Sequence, residues 1–378
     1  MAHARAMTSH LSMDERFNRM LFRMLAKADP DLPQQKIDAA IRDASEEAGK
    51  FIAEALRGEK RSMLIDHASL RRGFEVRLRD IWGEALDALY ALYVVAVEAA
   101  EDYFNRTRED AVEADDLVWE ALLRVQARAC HVASEIQALL RTGHAEGGQA
   151  RWRTLHELTV VASFLREHDD ALAQCYLEHG AITGWWDAQQ YQKHAARLQF
   201  EPYSDEEMAE MKAEHDRLVA KYGRAYRTEW GWAAAVLKGP VGFATIENAA
   251  ELSHWRPFYR DANAAVHAGS RRLSERLGVE DAAQTWLTGM SNMGLDGPGR
   301  STAISLMIVT VTTLAHRPGM NNLVLAKVAM ELSRDADEAF IAGAGELECR
   351  MAEEDKHQAA LARRRERYRA RKAGDFER

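Results

Sequence analysis

The amino-acid sequence predicts an all-α protein, a multi-helix bundle, on three observations. Ala, Leu, Glu and Arg dominate the 378 residues, and apolar positions recur at steps of three and four. No region alternates apolar and polar residues as a half-buried strand does. No internal repeat marks a solenoid. The clearest element is residues 117–141, where Val118, Leu122, Val125, Ala129, Val132, Ile136 and Leu139 form one apolar stripe. Arg124, Arg128, Glu135 and Gln137 fall on its other faces.

A glycine break at Gly143 and Gly147–Gly148 predicts a second helix over residues 149–167, antiparallel to the first. Upstream, Asp31-Leu32-Pro33 opens a helix toward Leu56, and a further stretch runs from Leu64 through residues 85–100. Residues 184–203 read as an irregular aromatic segment around Pro202. Ser204-Asp-Glu-Glu207 is a capping box for a charged helix that stops at Gly223. Pro257 sits in the first turn of a helix predicted to run to about Gly278. A glycine-rich loop, residues 289–299, then leads into the apolar stretch 302–315. The organisation expected is an N-terminal helical region over 1–111, a helical core over 112–335 and a charged C-terminal helix or tail over 336–378.

Composition narrows the function classes. With 47% hydrophobic residues and 7 Pro, the chain is too apolar for a disordered tether. A net charge of −9 argues against coating nucleic acid by bulk electrostatics, while leaving room for a local basic patch. Cys130, Cys175 and Cys349 stand far apart without a C-x-x-C pair, which suits a reducing cytoplasm. The N-terminus lacks the apolar core of a signal peptide. The stretch 302–315 is shorter than the ~20 residues of a membrane span and reads as a buried helix. A cytoplasmic protein without a membrane partner is the expectation.

Three constellations carry chemistry. The first is Tyr259-Arg260-Asp261-Ala-Asn263-Ala-Ala-Val-His267. On a helix Arg260 and His267 differ by about 20° in direction and ~10.5 Å in height, so both can converge on one phosphate. Asn263 and Arg271 share that side, whereas Ala262, Val266, Gly269 and Leu273 are predicted to face the core. A guanidinium neutralises phosphate charge and an imidazole moves protons near neutral pH. Together they equip a helix for RNA cleavage without a metal, the ribose 2′-hydroxyl acting as nucleophile.

Arg260-Asp261, six residues and His267 resemble the signature of the HEPN superfamily (higher eukaryote and prokaryote nucleotide-binding domains). Members are helical bundles with Arg, four to six residues, then His. The resemblance implies a HEPN-like core, catalytic Arg260 and His267, and support from Asp261 and Asn263. It also implies RNA as partner, a homodimer with the motif at its interface, no cofactor, and a toxin or phage-defence role. The spacing recurs at Arg5/His10, Arg61/His67, Arg124/His131, Arg151/His156 and Arg350/His357, but only Arg260 has an acidic neighbour directly after it.

The second constellation is Arg151-Trp-Arg153-Thr-Leu-His156-Glu157-Leu158. Arg153, His156 and Glu157 share a face that becomes apolar at Val160 and Phe164, so their charges need partners. With Arg128 on the neighbouring helix they read as supports of the His267 site or as a structural ion-pair network. This block, with Ala265-Val-His267-Ala-Gly-Ser270, also resembles an uncharacterised bacterial family of helical proteins over about residues 115–335. That resemblance implies a fold and no activity.

The third constellation is metal chemistry. Glu251-x-x-His254 and Glu354-x-x-His357 have di-iron ligand spacing, but one runs into Pro257 and the other lies in a charged tail, so no metal is expected. No P-loop, dinucleotide fingerprint or nucleophile elbow occurs. The tail, with Arg363, Arg364, Arg365, Arg367, Arg369, Arg371 and Lys372, is a candidate grip for nucleic acid. Two function classes remain: a HEPN-type endoribonuclease, or a non-catalytic helical scaffold for a partner protein of unknown identity.

Overall fold

A computed structural model describes residues 34–269 and 288–374. Helices carry nearly all of them and no strand occurs among the described residues, so the all-α bundle expectation holds. The chain divides between Val76 and Arg77 into two compact units. In the first, the helical stretch from Gln34 carries exposed i, i+3 and i, i+4 pairs such as Lys50–Glu46 and Arg57–Glu54.

The helices are α1 (Gln34–Glu113), α2 (Leu117–Arg141), α3 (Ala145–Arg166), α4 (Asp170–Glu178) and α5 (Gly180–Leu198). They continue with α6 (Asp205–Tyr222), α7 (Phe243–Ala249), α8 (Arg256–Val266), α9 (Asp296–His316) and α10 (Met320–Gly374). The two stretches expected upstream of residue 100 are one uninterrupted helix among the described residues. The sequence boundaries at 111/112 and 335/336 fall inside α1 and α10.

In the second unit, α2 and α3 pack side by side across a three-residue turn, an antiparallel pair, and α9 lies against both. The stripe of α2 is buried except for Leu139, whose place in the core Leu140 takes. Gln137, expected on an outer face, is buried. Asp116 caps α2 by accepting from the Trp119 N–H at 2.8 Å, and it also holds His316 and Arg317 at the end of α9. Burial opposes its charge, yet these donors hold its carboxyl below the usual range.

Helix α9 explains how the apolar stretch 302–315 stays in a protein core. Its buried Thr302, Thr310 and Thr313 donate their hydroxyls to carbonyls one turn back. The Trp152 Nε1–H donates to the Ser301 carbonyl and Ser305 hydroxyl, both at 3.0 Å, locking α3 to α9. No described helix is long and apolar enough to cross a membrane.

Three local expectations need correction. Helix α3 begins at Ala145, so Gly143 alone turns the chain, with φ of 75°, and Gly147–Gly148 are helical. Residues 184–198, expected irregular, belong to α5, which buries Ile182, Ala188 and Ala195. The chain reverses after it, where Tyr191 donates to the Glu201 carbonyl and Gln192 bridges the backbone of Tyr203. The glycine-rich loop is shorter than expected, because α9 starts at Asp296.

Gly299, in the first turn of α9, lies against the ring of Phe340 on α10, and a methyl group there would sit on the ring atoms. Gly299→Ala should therefore cost about 1–3 kcal/mol in urea denaturation. Adding Phe340→Leu should return part of that loss, whereas two independent sites would simply add their costs.

Candidate functional site

The charged edge of α3 is the centre from which the site is built. Glu247 on α7 has no exposed surface, and two groups meet its carboxylate. His156 Nε2 lies 2.8 Å from Oε1, and the Arg256 guanidinium at the start of α8 pairs with Oε2. A carboxylate only accepts, so His156 carries its proton on Nε2. Burial holds His156 below its usual pKa despite Glu247, so the imidazole is neutral and the charge pair is Glu247–Arg256.

A second pair lies one turn along. Arg153 and Glu157 meet at 2.9 Å, and the Tyr259 hydroxyl of α8 donates to Glu157 Oε1 at 2.6 Å while accepting from Arg153 at 3.0 Å. The Arg153 and Arg256 guanidiniums lie 5.3 and 5.4 Å from the Tyr259 ring centroid. Burial raises the Glu157 carboxyl above its usual range and pushes the Tyr259 phenol up as well. Trp152, Phe243 and Tyr259 surround His156 with ring centroids within 6 Å, and His156 and Glu247 are both buried. The Tyr259 hydroxyl thus joins α8 to the Arg153–Glu157 pair of α3, and the Glu247 carboxylate of α7 bridges Arg256 of α8 and His156 of α3.

The outer face of α8 carries the first constellation. Tyr259 and Ala262 are buried, and Arg260 is exposed. Helix α8 stops at Val266, well short of the predicted end near Gly278, and His267 is its C-cap with extended ψ of 143°. The His267 N–H still donates to the Asn263 carbonyl at 3.1 Å. Its φ of −98° departs only moderately from the helical value, and ψ rotates only the carbonyl and the chain beyond, so its Cβ keeps near the helical direction. His267 therefore leaves α8 close to the face that carries Arg260 and Asn263.

The side chains of Arg260 and the exposed His267 make no hydrogen bond or ion pair among the described residues. Asp261 and Asn263 are half-buried, and Asn263 Oδ1 is buried without a hydrogen-bond partner. Val266, predicted to face the core, is 47% exposed, at the last residue of α8. Gly269 is exposed as well, and Arg271 and Leu273 lie outside the described residues.

Arg153, His156 and Glu157 connect to α8 through Tyr259 and Arg256, on its buried side. No hydrogen bond or ion pair among the described residues links them to Arg260 or His267. Arg128 stands elsewhere, lining a 460 Å³ cleft together with Glu157, Glu229, Trp230 and Trp232. Sequence reasoning missed Glu247 and Arg256, and gave no role to Tyr259, the first residue of the motif it singled out. Their signal was the arginine and phenol beside apolar positions, which need buried partners.

Arg363, Arg364 and Arg365 are exposed on α10. Arg367, Arg369, Arg371 and Lys372 continue that helix, their side chains lying outside the described residues. No group of three or more His, Cys, Asp or Glu among the described residues could hold a metal ion.

A protein family of unknown function (DUF5677) matches the chain over residues 120–284. The segment matched to it contains Arg128, the charged edge of α3, the α7 carboxylate and all of α8, and thus both constellations. No curated protein matches the chain, and no solved structure matches it either.

The buried network sets two measurable outcomes. Arg256→Met strands the Glu247 carboxylate and should cost about 3 kcal/mol in urea denaturation, and Glu247→Gln in the same chain should recover much of it. His156 is held below its ordinary value when folded, so as pH falls the unfolded chain takes that proton first. Stability should thus drop as pH falls below about 6.5, the ordinary histidine value. The drop should be larger in the wild type than in His156→Gln when ΔG is compared between about pH 7.5 and 5.5.

Proposed function

We propose that the chain is an endoribonuclease whose reacting groups are Arg260 and His267, acting without a metal. One observation carries the reading: both side chains are exposed at one face of α8 and have no partner among the described residues. The same helix is clamped from behind by Arg256 and Tyr259, which gives its outer face a fixed position. In the reaction the ribose 2′-hydroxyl attacks the adjacent phosphorus, the bond from phosphorus to the 5′-oxygen breaks, and a 2′,3′-cyclic phosphate forms. Arg260 neutralises the phosphoryl oxygens. His267 takes the 2′-hydroxyl proton as base or supplies one to the leaving 5′-oxygen as acid. In this reading Asp261 and Asn263, the polar neighbours of the pair, have the task of orienting it once RNA is bound.

A cytoplasmic role in defence or as a toxin, and a homodimer with this face at its interface, belong to the same reading through the HEPN resemblance. The arginines of α10 from Arg363 onward would add a salt-dependent hold on RNA.

The competing scaffold reading rests on helix length. Helix α1 has 80 residues, far more than helix packing within a bundle uses.

Purified protein incubated with cellular RNA in EDTA decides between them. Cleavage should persist and leave cyclic phosphate ends. His267→Ala should lower the rate by about 10²–10⁴ with the circular dichroism spectrum unchanged. Arg260→Lys should rescue Arg260→Ala poorly, because an ammonium lacks the two-pronged grip of a guanidinium. Equal cleavage by wild type and His267→Ala would overturn the ribonuclease reading in favour of the scaffold.

A further inference from the structure

The cleft that Arg128 shares with Glu157 has a composition that the ribonuclease reading does not use. This open cleft measures about 460 Å³ among α2, α3, α4, the start of α5 and the turn at Glu229–Trp232, within the size range of small-molecule sites. The wall at that turn is built by a backbone constraint. A Cβ at Gly231 would fall within 2.6 Å of the Ala225 and Tyr226 carbonyl oxygens, so only glycine lets the two turns nest there. The buried His179 holds the same segment, its ring Nε2–H shared between the Tyr226 and Thr228 carbonyls at 3.1 and 3.0 Å. The next four residues are thereby held in place. Glu229 is exposed, Trp230 is half-buried against Phe243, and Trp232 is buried edge-on to Tyr176 at 5.0 Å.

The charges of the cleft then sort into engaged and unengaged groups. Arg124 is paired with Glu120, and Glu157 with Arg153 and the Tyr259 hydroxyl. Arg128 and Glu229 are both exposed, and neither side chain makes a hydrogen bond or ion pair among the described residues, with each other or with anything else. One cation and one anion, each without a hydrogen bond or ion pair among the described residues, line a space together with Tyr176, Trp230 and Trp232. The complement of that surface is a molecule with a carboxylate for Arg128, an ammonium for Glu229 and an apolar or aromatic body for the rings.

We propose that this cleft binds a small zwitterion, an α-amino acid with an aromatic or apolar side chain. The site is separate from the Arg260–His267 face, so it stands whether or not that pair cleaves RNA.

Equilibrium dialysis of the full chain with radiolabelled L-phenylalanine tests it. Saturable binding is expected. Competition by 3-phenylpropionate, which lacks the ammonium, and by 2-phenylethylamine, which lacks the carboxylate, should each be weaker than competition by unlabelled L-phenylalanine by about tenfold or more. Arg128→Ala should weaken L-phenylalanine binding and erase its advantage over 2-phenylethylamine. Glu229→Gln should erase its advantage over 3-phenylpropionate. Both side chains are exposed and unpaired, so unchanged thermal unfolding should accompany the losses. Absence of saturable binding by L-phenylalanine, L-tryptophan and L-leucine at millimolar concentration would overturn the proposal. So would equal competition by all three phenyl compounds, or wild-type binding in both variants.

Discussion

The arrangement of the site depends on one carboxylate that water cannot reach. Glu247 is fully buried, and an isolated charge in that position would cost several kcal/mol of lost hydration. The guanidinium of Arg256 and the Nε2–H of His156 offset that cost, and they come from two different helices. Short α7 is thereby fixed to α3, and α8 is fixed at its first residue. Helices of 7 and 11 residues are too short to persist alone, so this tertiary anchoring is what makes them helices at all.

The same anchoring divides α8 into two functional sides. Arg256, Tyr259 and Ala262 turn inward, and the Tyr259 hydroxyl joins Arg153 and Glu157 into a second charged cluster. Arg260 and His267 are left outward with no internal claim on either. Glu157 belongs to two settings at once, because it also lines the cleft that contains Arg128. One carboxyl group therefore separates the clamp on α8 from a cleft with its own unengaged charges.

Much of the architecture was legible in the sequence because helical burial leaves a local periodic trace. The α2 stripe, the Ser204 capping box and the buried α9 segment all depend on residues within one or two turns of one another. The misread segments have a common cause. Gly147, Gly148 and Gly184 look like breaks, but one glycine costs a helix only about 1 kcal/mol, less than the packing of its neighbours returns. At α8 the error ran the other way. The apolar pattern continued past Val266, yet α8 ends there and Val266 is exposed.

By itself the sequence determined the fold class, the stripe that buries α2, and the placing of Arg260 and Asn263 on one short helix that His267 directly follows. These follow from 3.6-residue periodicity and from capping chemistry, both properties of short segments. Tertiary structure alone decided which charges are engaged. Glu247 meets His156 across 91 positions and Tyr259 meets Glu157 across 102, distances over which a pattern of residues carries no pairing information. The pairing is set by desolvation: once α7 and α8 pack on α3, each buried charge must find an opposite one, and those that find none remain at the surface.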